Sequence, residues 1–260
     1  MSYDFGQELQ VSGFQDFRIS GIRCHGMNYS VSEKIFEEFP GYVRGVVVAE
    51  GVSNGESPPG LVALLREAEE SARGAMAGYN IAEHPRIAAW RSAYRWFGAR
   101  PSDFRCSIEA MSRRLVRGDS LPAINRLVDI GNVISLRHIL SAGCHAIDVA
   151  HGDFELRPAR GDESFVPLGS SESESPEPGE VILAEGDMVL TRRWTWRQGQ
   201  HTATTPDSTY VELNIDGLPP VAFTEVSEAC TEATELIQQF CGGEISTHYL
   251  TRETPSITIG

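Results

Sequence analysis

Apolar residues follow helical spacing in the first half of the chain and form short strand-like runs in the second half. Residues 42–49 (YVRGVVVA) are rich in β-branched side chains and predict a buried strand. Residues 61–76 and 85–97 repeat apolar side chains at helical spacing, so each predicts an amphipathic helix. Two further helices are predicted over residues 107–116 and 122–140.

The second half of the chain is predicted to be mostly strand, with a helix over residues 227–240 near its end. The acidic segment 170–180 (SSESESPEPGE) has no large apolar side chain and is predicted to be a solvated loop. Because strands and helices interleave without regular βαβ alternation, we expect an α+β fold in a single domain of layered sheets and helices over residues 1–260. The predicted strands are residues 154–157, 164–168, 181–183, 188–196, 210–215 and 245–250.

The composition narrows the class of protein. The 22 Lys and Arg residues against 36 Asp and Glu give a net charge of −14, which disfavours charge-driven binding to nucleic acid. No apolar run is long enough to span a membrane, and the N-terminus lacks a leader-like pattern, so a cytoplasmic protein without membrane contact is expected. The five cysteines form no CxxC pair, which is typical of reduced thiols.

Common cofactor and metal motifs are missing from the sequence. There is no GxGxxG, GxxxxGK[ST], HExxH or GxSxG, so dinucleotide, P-loop, zincin and α/β-hydrolase functions are disfavoured and no cofactor is expected. The dipeptides Cys24-His25 and Cys144-His145 place their side chains on opposite faces of a strand, and adjacent residues placed so do not easily hold one ion. No metal site is therefore expected.

Polar residues recur at helical spacing in the helix predicted over residues 122–140. Asn125, Asp129 and Asn132 stand at i, i+4 and i+7 and so share one face. Apolar residues surround them, which predicts a buried helix whose polar groups need protein partners or a ligand. A solvated face or a helix cap is the alternative interpretation.

The segment 190–198 (LTRRWTWRQ) predicts a strand whose alternate residues share a face. Arg192, Trp194 and Trp196 then lie together and predict a pocket for an amino acid, because a guanidinium holds a carboxylate and indoles stack on an apolar group. The alternative is a packed sheet face with an arginine stacked on tryptophan.

Three segments together resemble a known domain. SIEAMSRRLVRGDSLPAINRLVDIGNVISLRHIL, GDFELRPARGDESFVPLG and EPGEVILAEGDMVLTRRWTWRQ are similar, in this order, to the B3/B4 domain of the phenylalanyl-tRNA synthetase β subunit and to free-standing proteins made of that domain. The resemblance covers residues 90–220. Residues 1–83 are then an N-terminal elaboration, and residues 227–250 a terminal helix and strand.

The resemblance implies an α+β fold with a pocket for an aminoacyl group, because in the synthetase this domain hydrolyses the ester of tyrosine wrongly attached to the tRNA for phenylalanine. The family's VDITN helix matches Asp129 and Asn132 here, and its histidine matches His145. The family's editing glutamate falls nearest Asn214, with Glu212 two residues earlier on the same strand face. The chain thus departs from the family at the position of its editing glutamate.

The favoured function is therefore a deacylase acting in trans on a mischarged aminoacyl-tRNA, with weak and transient tRNA binding. Ester hydrolysis needs a positioned water, an acceptor and donors for the oxyanion. The residues predicted to be catalytic are Glu109, His145 and Asn132, and those predicted to bind substrate are Asn125, Arg192, Trp194, Trp196 and Asn214. An alternative role for Glu109 is an ion pair with Arg113 at i+4.

Seven arginines lie between residues 91 and 117, and Arg113, Arg114 and Arg117 are the predicted tRNA contacts. An exposed pair of helix faces explains the same residues without a ligand. Two other functions remain open. One is a small-molecule enzyme that reuses the amino-acid pocket, such as a Pictet–Spengler-type condensation on an aromatic amino acid, and the other is a non-catalytic amino-acid or tRNA-binding protein. A homodimer is also left open.

Overall fold

The computed structural model describes residues 26–260, and this part of the chain confirms the α+β class. Its helices are α1 (Glu33–Glu38), α2 (Pro59–Met76), α3 (Pro85–Trp96), α4 (Ser107–Val116), α5 (Arg126–His138) and α6 (Phe223–Phe240). Its strands are β1 (Met27–Val31), β2 (Val43–Glu50), β3 (Ser141–Ala146), β4 (Phe154–Pro158), β5 (Val181–Glu185), β6 (Met188–Arg192), β7 (Arg197–Gln198), β8 (Tyr210–Gly217), β9 (Glu244–Leu250) and β10 (Ser256–Ile259).

These strands form two sheets. A six-stranded sheet has the order β10-β1-β4-β5-β6-β7, and a four-stranded sheet has the order β3-β8-β2-β9. All neighbouring strands of the four-stranded sheet are antiparallel. The strand β2, which the run of β-branched residues predicted, is thus a central strand buried on both faces.

The two faces of the four-stranded sheet differ in polarity. The register places Arg44 opposite Asp216, and His145 opposite Glu212, so these four side chains share what we call the polar face. The polar face looks toward the six-stranded sheet, since Arg44 Nη1 donates to the hydroxyl of Tyr29 on β1 (2.8 Å). The alternate positions are apolar and pack against α5 and α6. The layers therefore stack in the order α5 and α6, the four-stranded sheet and the six-stranded sheet.

The strand predicted over residues 188–196 is too long. Strand β6 ends at Arg192, because Arg193 and Trp194 adopt left-handed backbone conformations with φ of 46° and 63°. A strand cannot continue through that geometry. Arg192, Trp194 and Trp196 therefore do not share a strand face as predicted, and the last two project from a turn instead.

The helix predicted over residues 122–140 begins only at Arg126, because Asn125 caps it. The side-chain oxygen of Asn125 accepts from the Val128 amide (3.0 Å), and its amide nitrogen donates to the Thr204 carbonyl (3.2 Å). The next member of the predicted polar stripe, Asp129, accepts from the Ser57 hydroxyl (2.6 Å). Protein partners therefore satisfy both residues.

Four of the five cysteines lie in the described part of the chain and are buried free thiols. Burial raises the pKa of Cys106, Cys144 and Cys230 to about 12 and that of Cys241 to about 11. The Cys24-His25 pair lies outside the described residues. Within residues 26–260 no group of three or more His, Cys, Asp and Glu side chains could hold a metal ion, and no helix is long and apolar enough to cross a membrane.

Gly45 tests how closely β2 and α6 are packed. A Cβ atom at this position would lie 2.2 Å from Sγ of Cys230 on α6. We expect Gly45→Ala to lower the free energy of unfolding by about 1–3 kcal/mol, because one of the two elements must shift. Urea denaturation measures this, and adding Cys230→Ala to the same chain should recover most of the loss.

The control for this test is Gly74→Ala on α2, where an added Cβ meets nothing within 4 Å. Helix propensity alone predicts a gain of up to about 1 kcal/mol there. Equal stability of the wild type and Gly45→Ala would contradict the close contact.

Candidate functional site

A fully buried ion pair lies on the polar face. Arg44 and Asp216 side chains are 1% and 0% exposed and form two parallel hydrogen bonds, Nε to Oδ1 at 2.7 Å and Nη2 to Oδ2 at 2.9 Å. The hydroxyl of Tyr42 donates to Asp216, and Trp194 Nε1 donates to the hydroxyl of Tyr42 (3.3 Å). With the bond from Arg44 to Tyr29, these contacts form what we call the Arg44–Asp216 network, and it joins both sheets.

A cavity of about 170 Å³ lies between the sheets and shares Arg44 and Trp194 with this network. One part of its wall comes from β2, β3 and β8, another from β6, β7 and the turn between them, and a third from the start of α4. The lining residues are Arg44, Ser107, Ala142, Gly143, His145, Thr191, Trp194, Thr195, Trp196, Arg197, Gln198 and Asn214.

Aromatic packing fixes Trp194 in the wall. Its ring lies edge-on to the rings of Tyr42, Trp90 and Phe39, with centroids 5.0, 5.2 and 5.5 Å away. The indole is 1% exposed. This packing stabilises the left-handed turn at Arg193 and Trp194, and the turn places the Trp194 indole in the cavity wall.

Trp196 forms the more open part of the aromatic wall and is half-buried. Its ring meets Phe104 edge-on with centroids 5.0 Å apart. The guanidinium carbon of Arg193 lies 3.6 Å from the centroid of Phe104 and 4.5 Å from that of Trp196. A cation against two rings stabilises this arrangement, so the position of Trp196 depends on Arg193.

His145 is a neutral group in the polar wall. Its Nδ1 lies 2.7 Å from the hydroxyl of Thr202, and its Nε2 lies 3.1 Å from the hydroxyl of Thr191. Burial, with a smaller effect from Arg44, lowers the pKa of His145 to about 3. The neutral imidazole offers one donor and one acceptor to the hydroxyls around it.

Two neighbours on the polar face have unpartnered oxygens. Glu212 is 0% exposed, and neither of its carboxyl oxygens has a hydrogen-bond partner among the described residues. Burial raises the pKa of Glu212 to about 8. The negative charge of Asp216 adds to this rise, and the positive charge of Arg44 partly offsets it. Asn214 donates through Nδ2 to Asp216 (3.1 Å), which leaves its Oδ1 without a partner in the same part of the chain.

Gly143 stands opposite Asn214 in the sheet and keeps this amide oxygen uncovered. A Cβ atom at Gly143 would lie 3.2 Å from Asn214 Oδ1. At the other side of the cavity, the buried hydroxyl oxygen of Ser107 also has no partner in the described chain, while its backbone N–H donates to the Thr195 carbonyl (2.9 Å). The cavity therefore presents several polar atoms that a ligand could satisfy.

The structure brings together four of the eight residues predicted to be catalytic or to bind substrate: His145, Asn214, Trp194 and Trp196 line the cavity. Arg192, Asn125, Asn132 and Glu109 do not line it. Arg192 instead donates two hydrogen bonds to the carboxylate of Glu180 (2.8 and 2.7 Å). Asn132 lies partly exposed on α5.

Glu109 and the predicted tRNA contacts lie around α4. Glu109 is 0% exposed and accepts from Arg91 (2.8 Å) and Arg113 (2.9 Å), which is the i+4 ion pair that its alternative interpretation predicts. Arg114 donates to the Ser120 carbonyl (2.9 Å), and Arg117 lies 3.9 Å from Asp119. Most of these arginines thus have a partner on the chain.

Sequence reasoning missed Arg44, Asp216 and the importance of Glu212. A usable signal existed, because Arg44 interrupts an otherwise apolar strand and acidic residues alternate with apolar ones along YVELNIDG. A charged side chain inside a buried strand requires a partner. Which residue supplies it depends on strand register, which the sequence does not state.

Two packed sheets, with a helical layer against the four-stranded one and a small polar and aromatic cavity between them, define a layered α+β domain. Residues 89–242 match the family described as the B3/4 domain. The match covers more than half of the chain, so the protein belongs to this family, which confirms the resemblance seen in its motifs.

One solved structure similar to this chain is an N-terminal fragment of the phenylalanyl-tRNA synthetase β subunit from Pyrococcus horikoshii. The TM-score is 0.46 with 13% sequence identity, and the alignment covers 84% of this chain and 49% of that one. The chain thus spans about half the length of that fragment. A comparison with curated proteins found no match.

Glu212 and His145 predict a characteristic pH dependence of stability. The pKa of Glu212 rises from 4.5 to about 8 on folding, so stability falls as pH increases through this window. The pKa of His145 falls from 6.5 to about 3, so stability falls as pH decreases through that window. Between pH 4.5 and 6.5 the two groups change the free energy of unfolding in opposite directions, so we expect it to be nearly constant there.

Denaturant titrations from about pH 4 to 9 measure this effect. Above about pH 6.5, Glu212 should lower the free energy of unfolding by at most about 1.4 kcal/mol per pH unit. Glu212→Gln should remove most of this decrease. The matched control is Glu172→Gln in an exposed loop, which should leave the slope unchanged. A high-pH slope that survives in Glu212→Gln would show that another group causes it.

Proposed function

We propose that the protein is an aminoacyl-tRNA deacylase that acts in trans, and that the cavity holds the aminoacyl group while its ester is hydrolysed. The observation that carries this proposal is a partly open cavity with one aromatic and one polar wall inside a B3/4 domain. The motifs of the sequence, which resemble the synthetase editing domain, support the same reaction.

The size of the cavity supports an amino-acid ligand. Its volume of about 170 Å³ lies below the roughly 300–1,000 Å³ of sites for drug-sized molecules. Trp194 and Trp196 suit an apolar or aromatic side chain, and Asn214 and Ser107 offer polar contacts. Only the aminoacyl end of a tRNA would enter, so an acidic body with a net charge of −14 needs few contacts with phosphates.

Groups for ester hydrolysis also lie in the wall. Arg44 has five N–H donors, and three are used by Asp216 and Tyr29, so two remain for a developing oxyanion. The hydroxyl of Thr191, which lies 3.1 Å from His145 Nε2, can orient a water molecule. An imidazole with a pKa of about 3 is too weak a base to hold a proton taken from that water, so the role of His145 is to position the Thr191 hydroxyl.

A panel of tRNAs, each charged with a labelled amino acid, tests the proposal. We expect the protein to release label from at least one of them. Gly143→Val, which narrows the cavity beside Asn214, should reduce that rate about 10²-fold, because small displacements of a bound ester have large kinetic effects. Ala110→Val on the exposed side of α4 is the control and should retain full activity.

Loss of activity in Gly143→Val counts only if its melting temperature stays near that of the wild type. Full activity in this variant would place the reaction outside the cavity. Turnover of none of the charged tRNAs by the wild type would refute the deacylase proposal.

A second function, an enzyme acting on a free amino acid, is favoured by the arginines around α4. Arg91 and Arg113 bind Glu109, and Arg100 lies 2.8 Å from Asp103, so these guanidinium groups already have carboxylate partners. A tRNA would have to compete with those partners. Free amino acids, offered alone and with aldehydes, are the substrates to test for this function.

Salt dependence separates the two functions. A deacylase that contacts phosphates should lose affinity as salt rises, with a slope set by the number of phosphates bound, whereas a small-molecule enzyme should show almost no slope. Arg114→Glu with Arg117→Glu should weaken apparent tRNA affinity at least about tenfold, as two exposed contacts become repulsive. Arg113 is left intact, because its ion pair with buried Glu109 is structural.

Arg252→Glu, an exposed charge reversal outside this stretch, is the control and should bind normally. Normal binding by the Arg114 and Arg117 double variant would exclude this surface as the tRNA contact.

A further inference from the structure

Three acceptor atoms without partners lie on one face of β8. They are Oε1 and Oε2 of Glu212 and Oδ1 of Asn214, all buried and unpartnered within the described chain. The two residues are two positions apart on one strand and therefore share the polar face. The orientation of the Asn214 amide is fixed, because its nitrogen must face the carboxylate of Asp216. No donor of the described chain lies within hydrogen-bond distance of these three oxygens.

Among residues 26–260, the cations near this wall are already engaged. Arg44 is held in its two parallel bonds to Asp216, so that pair is already neutral. Arg197 also lines the cavity, but it is 45% exposed and lies 3.8 Å from Glu174. Glu212 is thus a buried carboxyl group without a countercharge of its own in the described chain, a costly arrangement.

We propose that Glu212 and Asn214 recognise a ligand with a free cationic amino group, and that Glu212 is its countercharge. This inference rests on the proposed function and deepens it, because it specifies a free α-amino group on the aminoacyl ligand and excludes an N-acylated one. Asn214 lines the cavity and accepts directly from the amine. Glu212 does not line the cavity and acts through its charge from behind this wall, so it is a specificity-determining residue.

The surroundings of Glu212 explain how the charge is controlled. Burial keeps the carboxyl protonated in the free protein at neutral pH, since its pKa is about 8. A cationic amine nearby favours the ionised form, so binding releases one proton from Glu212. The other ionisable groups around it are Arg44 on β2, Asp216 on β8, Tyr29 on β1, His145 on β3 and, on the opposite face of β3, Cys144.

Calorimetry with amino-acid amides tests the inference without hydrolysis. The panel contains each amide, its N-acetyl derivative and its analogue lacking the amino group. Titrations between about pH 5.5 and 7, in buffers with different ionisation heats, report both affinity and proton release. We expect binding only with a free amine, release of about one proton, and affinity that rises up to about tenfold per pH unit.

Glu212→Gln should abolish proton release and most of the pH dependence. Since neither oxygen of Glu212 has a partner in the described chain, the variant removes no hydrogen bond seen there and should fold. Glu172→Gln, an exposed loop residue, makes the same change of charge and should behave as wild type. If Glu212→Gln fails to fold, proton release by the wild-type protein still decides the question.

Equal binding of amines and N-acetyl derivatives, or amine binding by the wild type without proton release, would overturn the inference. If charged tRNA is still turned over in that case, the proposed function survives and only the role of Glu212 is lost. If no amide binds and no charged tRNA is turned over, both are lost.

Discussion

The ion pair between Arg44 and Asp216 is the constraint around which the two sheets are arranged. Removing two charges from water costs several kcal/mol for each ion, and only good geometry with additional hydrogen bonds offsets this. Here the two parallel bonds are supplemented by Tyr29 from the six-stranded sheet and by Tyr42 and Asn214. Each of these elements must therefore reach its final position before the charges are stabilised.

This polar centre also accounts for the cavity. Packed sheets ordinarily interlock apolar side chains, but β8 brings Glu212, Asn214 and Asp216 to the surface that faces the other sheet. Hydrogen bonds fix Asn214 and Asp216 in place, and Glu212 beside them is unpartnered, so this surface does not interlock with the other sheet as apolar side chains would. The apolar face of the same sheet meets α6 closely, since even one added methyl group at Gly45 would collide with Cys230.

Local signals in the sequence predicted much of the fold. The helix over residues 107–116 has the observed bounds of α4, and β2 and α6 were also located. The turn at Arg193 and Trp194 was missed because aromatic packing with Tyr42 and Trp90, distant in sequence, overrides the alternation of TRRWTWRQ. The motifs located His145 and Asn214 because these residues lie within segments that resemble the family. Arg44 and Glu212 are recognised as site residues only from strand pairing and burial, which depend on contacts distant in sequence.

The position of β2 has a consequence for where this domain can be cut. The stretch that matches the B3/4 family, residues 89–242, begins after β2, yet β2 lies between β8 and β9 in the four-stranded sheet. An excised fragment with those limits would lose Arg44 and leave the long strand β8 with an open edge and Asp216 without its cation. The stretch that matches the family therefore does not contain every residue that lines the cavity, since Arg44 lies well before position 89.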